Sequence, residues 1–131
     1  IVQPSTALSY VKNHGICLSS VMPYSQNDCP TPTASQNNQA TYKISKYERI
    51  EKFSTSVDMT NTLKQILFLS NKPIIVTLPI YGSFPDCIDR ATTPYSNYSG
   101  GFSAYHTVVI SGYNDAKQSF DVLNSWGSYK L

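Results

Sequence analysis

The sequence predicts an α+β fold. A short helical pattern and a long irregular stretch come first, and strand patterns dominate the remainder with one helix inserted among them. The order never alternates strand and helix, as a parallel sheet with crossover helices would require. At 131 residues the chain fits one domain able to bury about two thirds of its unfolded surface.

The elements follow in order. Pro4 and Ser5 predict a helix start with Ser5 as its cap, and Ala7, Leu8, Tyr10 and Val11 then recur at helical spacing. Gly15 fits the positive-φ position that ends a helix, and His14 reads as a surface residue of its last turn. Residues 16–40 read as loop, because Pro23, Pro30 and Pro32 interrupt any regular element and Gln36 to Gln39 is polar. A loop of that length needs something to hold it. It carries Cys17 and Cys29, so a disulfide is one such device. Tyr42, Ile44, Tyr47 and Ile50 predict a strand within residues 41–52. Between Thr60 and Ser70 a helix is predicted: Leu63, Ile66, Leu67 and marginally Ser70 share a face, Thr60 or Asn61 caps it, and Lys72-Pro73 stops it. Ile74 to Ile80, β-branched and apolar, predicts a strand buried on both faces. Residues 81–104, rich in Gly, Pro, Ser and Tyr, read as loop. Tyr105 to Tyr113 and Ser119 to Leu123 then predict a hairpin around a turn at Asn114 to Gln118.

Composition excludes several functions. The net charge is only +2, with no cluster of Lys and Arg, so there is no nucleic-acid footprint. The hydrophobic fraction of 40% is too high for a disordered chain. The longest apolar runs, such as Ile74–Val76 and Val108–Ile110, fall far below the roughly 18–20 residues of a membrane span. Two His and scattered Cys show no metal-ligand spacing, and no cofactor is implied. Three cysteines cannot all pair within one chain, so at least one is free, a ligand, or paired elsewhere. Asn97-Tyr98-Ser99 has the glycosylation-acceptor pattern, which is common by chance.

The sharpest chemical feature lies on the hairpin. His106 begins one strand, and Asn124-Ser125-Trp126-Gly127 follows its partner. Antiparallel pairing brings the start of the first strand near the end of the second, so His106 and Asn124 can be neighbours. An imidazole serving as base and acid must be held in one tautomer and orientation. An Asn carbonyl accepting its Nδ1–H does this without adding charge. A Trp beside that bond excludes water and strengthens it.

These residues resemble the papain-like cysteine peptidases. The matching segments are Gly100-Gly101, His106 through Tyr113 with Gly112-Tyr113 at the strand's end, and Asn124-Ser125-Trp126-Gly127. Weaker matches are Tyr10 through Ile16 followed by Met22-Pro23-Tyr24, and Leu63 through Leu78 with Lys72-Pro73 before the apolar strand. The resemblance implies a partial papain-like fold, with 1–40 as part of the helical half and 41–131 as most of the β-barrel half. It implies that His106 is the general base and Asn124 its orienting partner, as in a Cys-His-Asn constellation. Trp126 resembles the shield over their bond. Thr77, Ala104 and Tyr105 align with positions bordering the substrate cleft, where a Tyr at 105 is unusually bulky. A peptide or protein would be the substrate, and a lysosome-like, vacuolar or secreted setting is typical of the family.

One family feature is missing from the sequence. The nucleophile of the family opens a long helix in a Cys-Gly-Ser-Cys-Trp type segment, with an oxyanion-hole Gln just before it. Cys17, Cys29 and Cys87 have neither those flanks nor a helix start behind them. By resemblance Cys29 matches a cysteine that pairs with one upstream of Ile1, and a Cys17–Cys29 bridge is the alternative. The expectation is that this is the carboxyl-terminal part of a peptidase, inactive alone, whose nucleophile lies on another segment or chain. The alternative is a catalytically inactive papain-like scaffold used for binding.

Overall fold

A computed structural model describes residues 3–25, 30–50, 53–84, 94–96 and 98–126. The chain divides into two compact units, Ile1–Glu51 and Lys52–Leu131.

In the first unit, α1 spans Pro4–Asn13. Its cap is Gln3, which makes no side-chain capping bond, and Pro4 occupies the first helical position. The predicted Ser5 cap is therefore displaced by two residues. A proline at that position needs no amide partner and already has helical φ, so it sets the start by itself. The other end is as predicted. The amide of Gly15 donates to the Val11 carbonyl at 3.0 Å, and Gly15 has φ +89°. A Cβ there would lie 2.3 Å from the Ala40 carbonyl oxygen, so both conformation and space require glycine.

The described part of residues 16–40 is held without a cysteine bridge at Cys17, whose thiol is free and half-buried. Cys29 lies outside the described residues. Ile16 and Tyr42 form an isolated antiparallel bridge with amide–carbonyl distances of 2.9 and 3.2 Å. The Lys43 ammonium donates to the Asn13 carbonyl at the end of α1. A five-residue helix, α2 (Ala34–Asn38), begins with a reciprocal capping box between Thr33 and Gln36. The Gln36 amide also reaches back to the Val21 carbonyl at 3.0 Å. Among the described residues 41–50 the predicted strand is absent beyond the Tyr42 bridge. Tyr42 and Tyr47 are exposed, so their apolar surface recruits no partner strand.

The second unit holds the apolar core: Leu63, Leu67, Ile74, Ile80, Phe84, Val108 and Ile110. Helix α3 spans Ser56–Ser70 and starts a turn earlier than predicted. Thr55 is the cap, accepting from the Asp58 amide, while the Asp58 carboxylate accepts from the Ser54 amide and hydroxyl. Thr60, expected as a cap, instead bonds back to the Ser56 carbonyl inside the helix. Leu63 and Leu67 face the core with Ile66 half-buried, whereas Ser70 is exposed. Asn71, at φ 48°, ends the helix two residues before Pro73.

The sheet has three antiparallel strands in the order β1 (Ile74–Tyr81), β2 (Phe102–Asn114) and β3 (Ser119–Leu123). Ile74 pairs with Ile110 and Leu78 with His106, and Val109 pairs with Leu123. The sheet buries one face only. Ile74, Ile80, Val108 and Ile110 point inward, while Ile75, Thr77, Pro79, Tyr105 and Thr107 on the other face are exposed. The prediction of a β1 strand buried on both faces is thus corrected: an unbroken β-branched run masks which side is solvated. Pro79 fits because β1 lies at an edge of the sheet. Lys64 of α3 ties the helix to the hairpin through an ion pair with Asp115, and its ammonium stands 5.3 Å from the Tyr113 ring centroid.

Two outcomes check this architecture. Gly15→Ala should lower unfolding stability by about 2 kcal/mol, from the left-handed backbone and the clash with Ala40. A loss under about 0.5 kcal/mol in denaturant unfolding would contradict the turn described. Ile110→Ala should cost about 2–4 kcal/mol, and Ile75→Ala, on the solvated face, under about 1 kcal/mol.

Candidate active site

The register of β2 with β3 builds the site. Because Val109 faces Leu123, the next residue, Asn124, falls opposite Val108. Val108 and His106 share a face of β2, so the Asn124 side chain emerges beside the imidazole. His106 Nε2 and Asn124 Oδ1 lie 2.7 Å apart. The sequence led us to expect Nδ1 in this bond, and the structure corrects that to Nε2. Nδ1 takes no part in this bond.

The protonation of this pair follows from a third group. Asn124 Oδ1 also accepts the Ser125 amide at 2.8 Å. An amide turned the other way would set its NH2 against that backbone donor, so Oδ1 must face inward. His106 Nε2 is therefore the N–H donor, and in the neutral ring Nδ1 carries the lone pair. Asn124 Nδ2 is buried and finds no partner among the described residues.

Aromatic rings close around the imidazole. The Trp126 ring lies 4.6 Å from that of His106 at a 39° tilt. Trp126 itself remains 40% exposed. Phe84 stands edge-on to both, 5.7 Å from His106 and 5.6 Å from Trp126. Tyr95 packs on Phe84 at 5.2 Å, and its buried hydroxyl has no partner among the described residues. Sequence reasoning missed Phe84 and Tyr95. They lie in a segment read only as Gly-, Pro-, Ser- and Tyr-rich loop, and no periodicity there marks a buried ring.

The remaining predicted positions divide between the two sheet faces. Ala104 shares the His106 face and is half-buried. Thr77 and Tyr105 project from the opposite face. Thr77 meets Thr107 there at 2.9 Å between hydroxyl oxygens, and Tyr105 meets Phe102 edge-on with ring centroids 5.3 Å apart. The structure therefore brings together His106, Asn124, Trp126 and Ala104, and does not bring Thr77 or Tyr105 to them.

Among the cysteines, Cys17 follows the carboxyl end of α1 and opens no helix. Cys87 and Asn97, like Cys29, lie outside the described residues. No trio of His, Cys, Asp or Glu among the described residues is arranged to hold a metal ion. No helix among them is long and apolar enough to cross a membrane.

The chemical capability of the pair is specific. A donor nitrogen tied to a neutral acceptor keeps the ring in one tautomer, and the opposite nitrogen can exchange a proton with a thiol or an amine. A family model for papain family cysteine proteases matches residues 3–130. Comparison with curated proteins and with solved structures gave no match. A histidine and asparagine joined across a hairpin, the α+β fold and the family match agree: the chain belongs to the papain family of cysteine proteases.

Proposed function

We propose that this chain carries the histidine–asparagine part of a papain-like cysteine endopeptidase, with the nucleophilic cysteine and the oxyanion hole supplied by a segment outside these residues. The observation that carries this reading is the His106 Nε2–Asn124 Oδ1 bond, whose amide orientation is fixed by the Ser125 N–H. That arrangement leaves Nδ1 for a thiol. Cys17 opens no helix, and the sequence around Cys29 and Cys87 lacks the family's nucleophile flanks.

His106 Nδ1 takes the thiol proton, and the thiolate attacks the scissile carbonyl. The tetrahedral intermediate collapses as the C–N bond breaks, and Nδ1–H delivers its proton to the leaving amine. A thioester remains. Water then adds to it, giving its proton to Nδ1, and the thiol leaves with that proton as the carboxylic product forms. Asn124 holds the ring through both half-reactions, and Trp126 limits water access to the Nε2–H bond. Ala104, on the same face, borders the substrate.

Two assays test this reading. The isolated chain should show no thiol-dependent turnover of peptide substrates, whereas the intact gene product should turn them over and lose activity on alkylation. In that product His106→Ala should lower kcat/KM by about 10³-fold or more, and Asn124→Ala by roughly 10- to 100-fold. An intact product with Ser, Gly or Ala at the nucleophile position, and no thiol-dependent turnover, would instead identify an inactive papain-like scaffold.

A further inference from the structure

The hydrogen bond to Asn124 fixes one atom of the His106 ring but not its plane, because rotation about the bond to an sp² ring is soft. Something must hold the plane. Trp126 leans on one flank but is 40% exposed. Phe84 is 8% exposed and, among the described residues, is the deeply buried ring in contact with both. It meets His106 at 65° and Trp126 at 90°, so one phenyl group wedges two rings at once.

Phe84 is itself rigidly placed. Its amide donates to the Tyr81 carbonyl at 2.9 Å, closing a turn directly after β1. The amides of Gly82 and Ser83 donate to the carbonyls of Gly101 and Ser99, and the Ser99 amide donates to the Ser83 hydroxyl. Gly100, at φ +84°, allows this approach: a Cβ there would stand 3.1 Å from the Gly82 Cα. The turn after β1 is thus clamped to the lead into β2, the strand that carries His106. Tyr95 also meets Phe84 edge-on, at 84°.

We infer that Phe84 is a positioning residue for His106, holding the imidazole plane so that Nε2–H stays on Asn124 and Nδ1 stays directed at the thiol. The inference rests on His106 being the general base, but its physical content, a ring held by Phe84, can be read in the chain without any nucleophile. Phe84 is not a catalytic residue, because its phenyl group exchanges no proton and acts only through the His106 ring it packs against.

The test is the solvent exchange of the His106 Nε2 proton, followed by NMR in the full chain. Phe84→Leu keeps an apolar side chain but removes the ring. It should speed this exchange by about tenfold or more through loss of two edge-to-face contacts. Leu63→Ala, a core substitution on α3 outside the ring cluster, should leave it near the wild-type rate. Exchange unchanged in Phe84→Leu, or accelerated equally in Leu63→Ala, would overturn the inference. If Phe84→Leu does not fold, Phe84→Met replaces it in the same comparison. In the intact gene product Phe84→Leu should lower kcat with little change in KM. Absence of any thiol-dependent turnover in the wild type would sink the peptidase reading and leave the exchange result standing.

Discussion

The site depends on one constraint, the antiparallel register of β2 and β3. With Val109 opposite Leu123, Asn124 emerges on the face that His106 shares. A slip of one residue would turn the imidazole to the solvated side of the sheet. The register is pinned from both ends. The irregularity between Ile110 and Gly112 absorbs one residue, and a Cβ on Gly112 would come 2.9 Å from the Asp121 carboxylate. At the turn, the Asn114 carbonyl side chain accepts the Lys117 amide, and Asp115 pairs with Lys64 of α3. Buried Val108 and Ile110 supply the apolar side of the same strand. Packing thus selects the register, and the register makes the hydrogen bond.

That hydrogen bond then sets the chemistry. Asn124 Oδ1 is shared by the Ser125 amide and the imidazole, which determines the tautomer without a charged partner. A carboxylate in its place would also hold the ring, while stabilising the imidazolium more strongly. The neutral amide leaves the Nδ1 lone pair able to take up a proton and give it back. The rings of Phe84 and Trp126 lower the local dielectric around the bond.

Much of this was legible in the residues. The hairpin strands, the short helix ended by Gly15, the α3 core face and the His106–Asn124 pairing all follow from periodicity, turn chemistry and antiparallel geometry. The errors have physical causes. Pro4 fixed the α1 start in place of Ser5. The Thr55 cap of α3 precedes its apolar periodicity, although Thr55-Ser56-Val57-Asp58 has the capping pattern. The Thr33–Gln36 capping box was concealed in a polar stretch read as loop. Tyr42, Ile44 and Tyr47 look like a strand, but local pattern cannot supply a pairing partner. The identity of the ring nitrogen and the role of Phe84 are three-dimensional facts, set by direction of approach rather than by spacing.

The central claim is that Asn124 holds the His106 Nε2–H, leaving Nδ1 to meet the thiol. Long-range proton–nitrogen NMR correlation on the neutral ring measures this directly. Nε2 should give a protonated, pyrrole-type nitrogen shift and Nδ1 an unprotonated, pyridine-type shift, with the Nε2–H signal lost in Asn124→Ala. A His106 ring protonated on Nδ1, or averaging between both tautomers, would contradict the account.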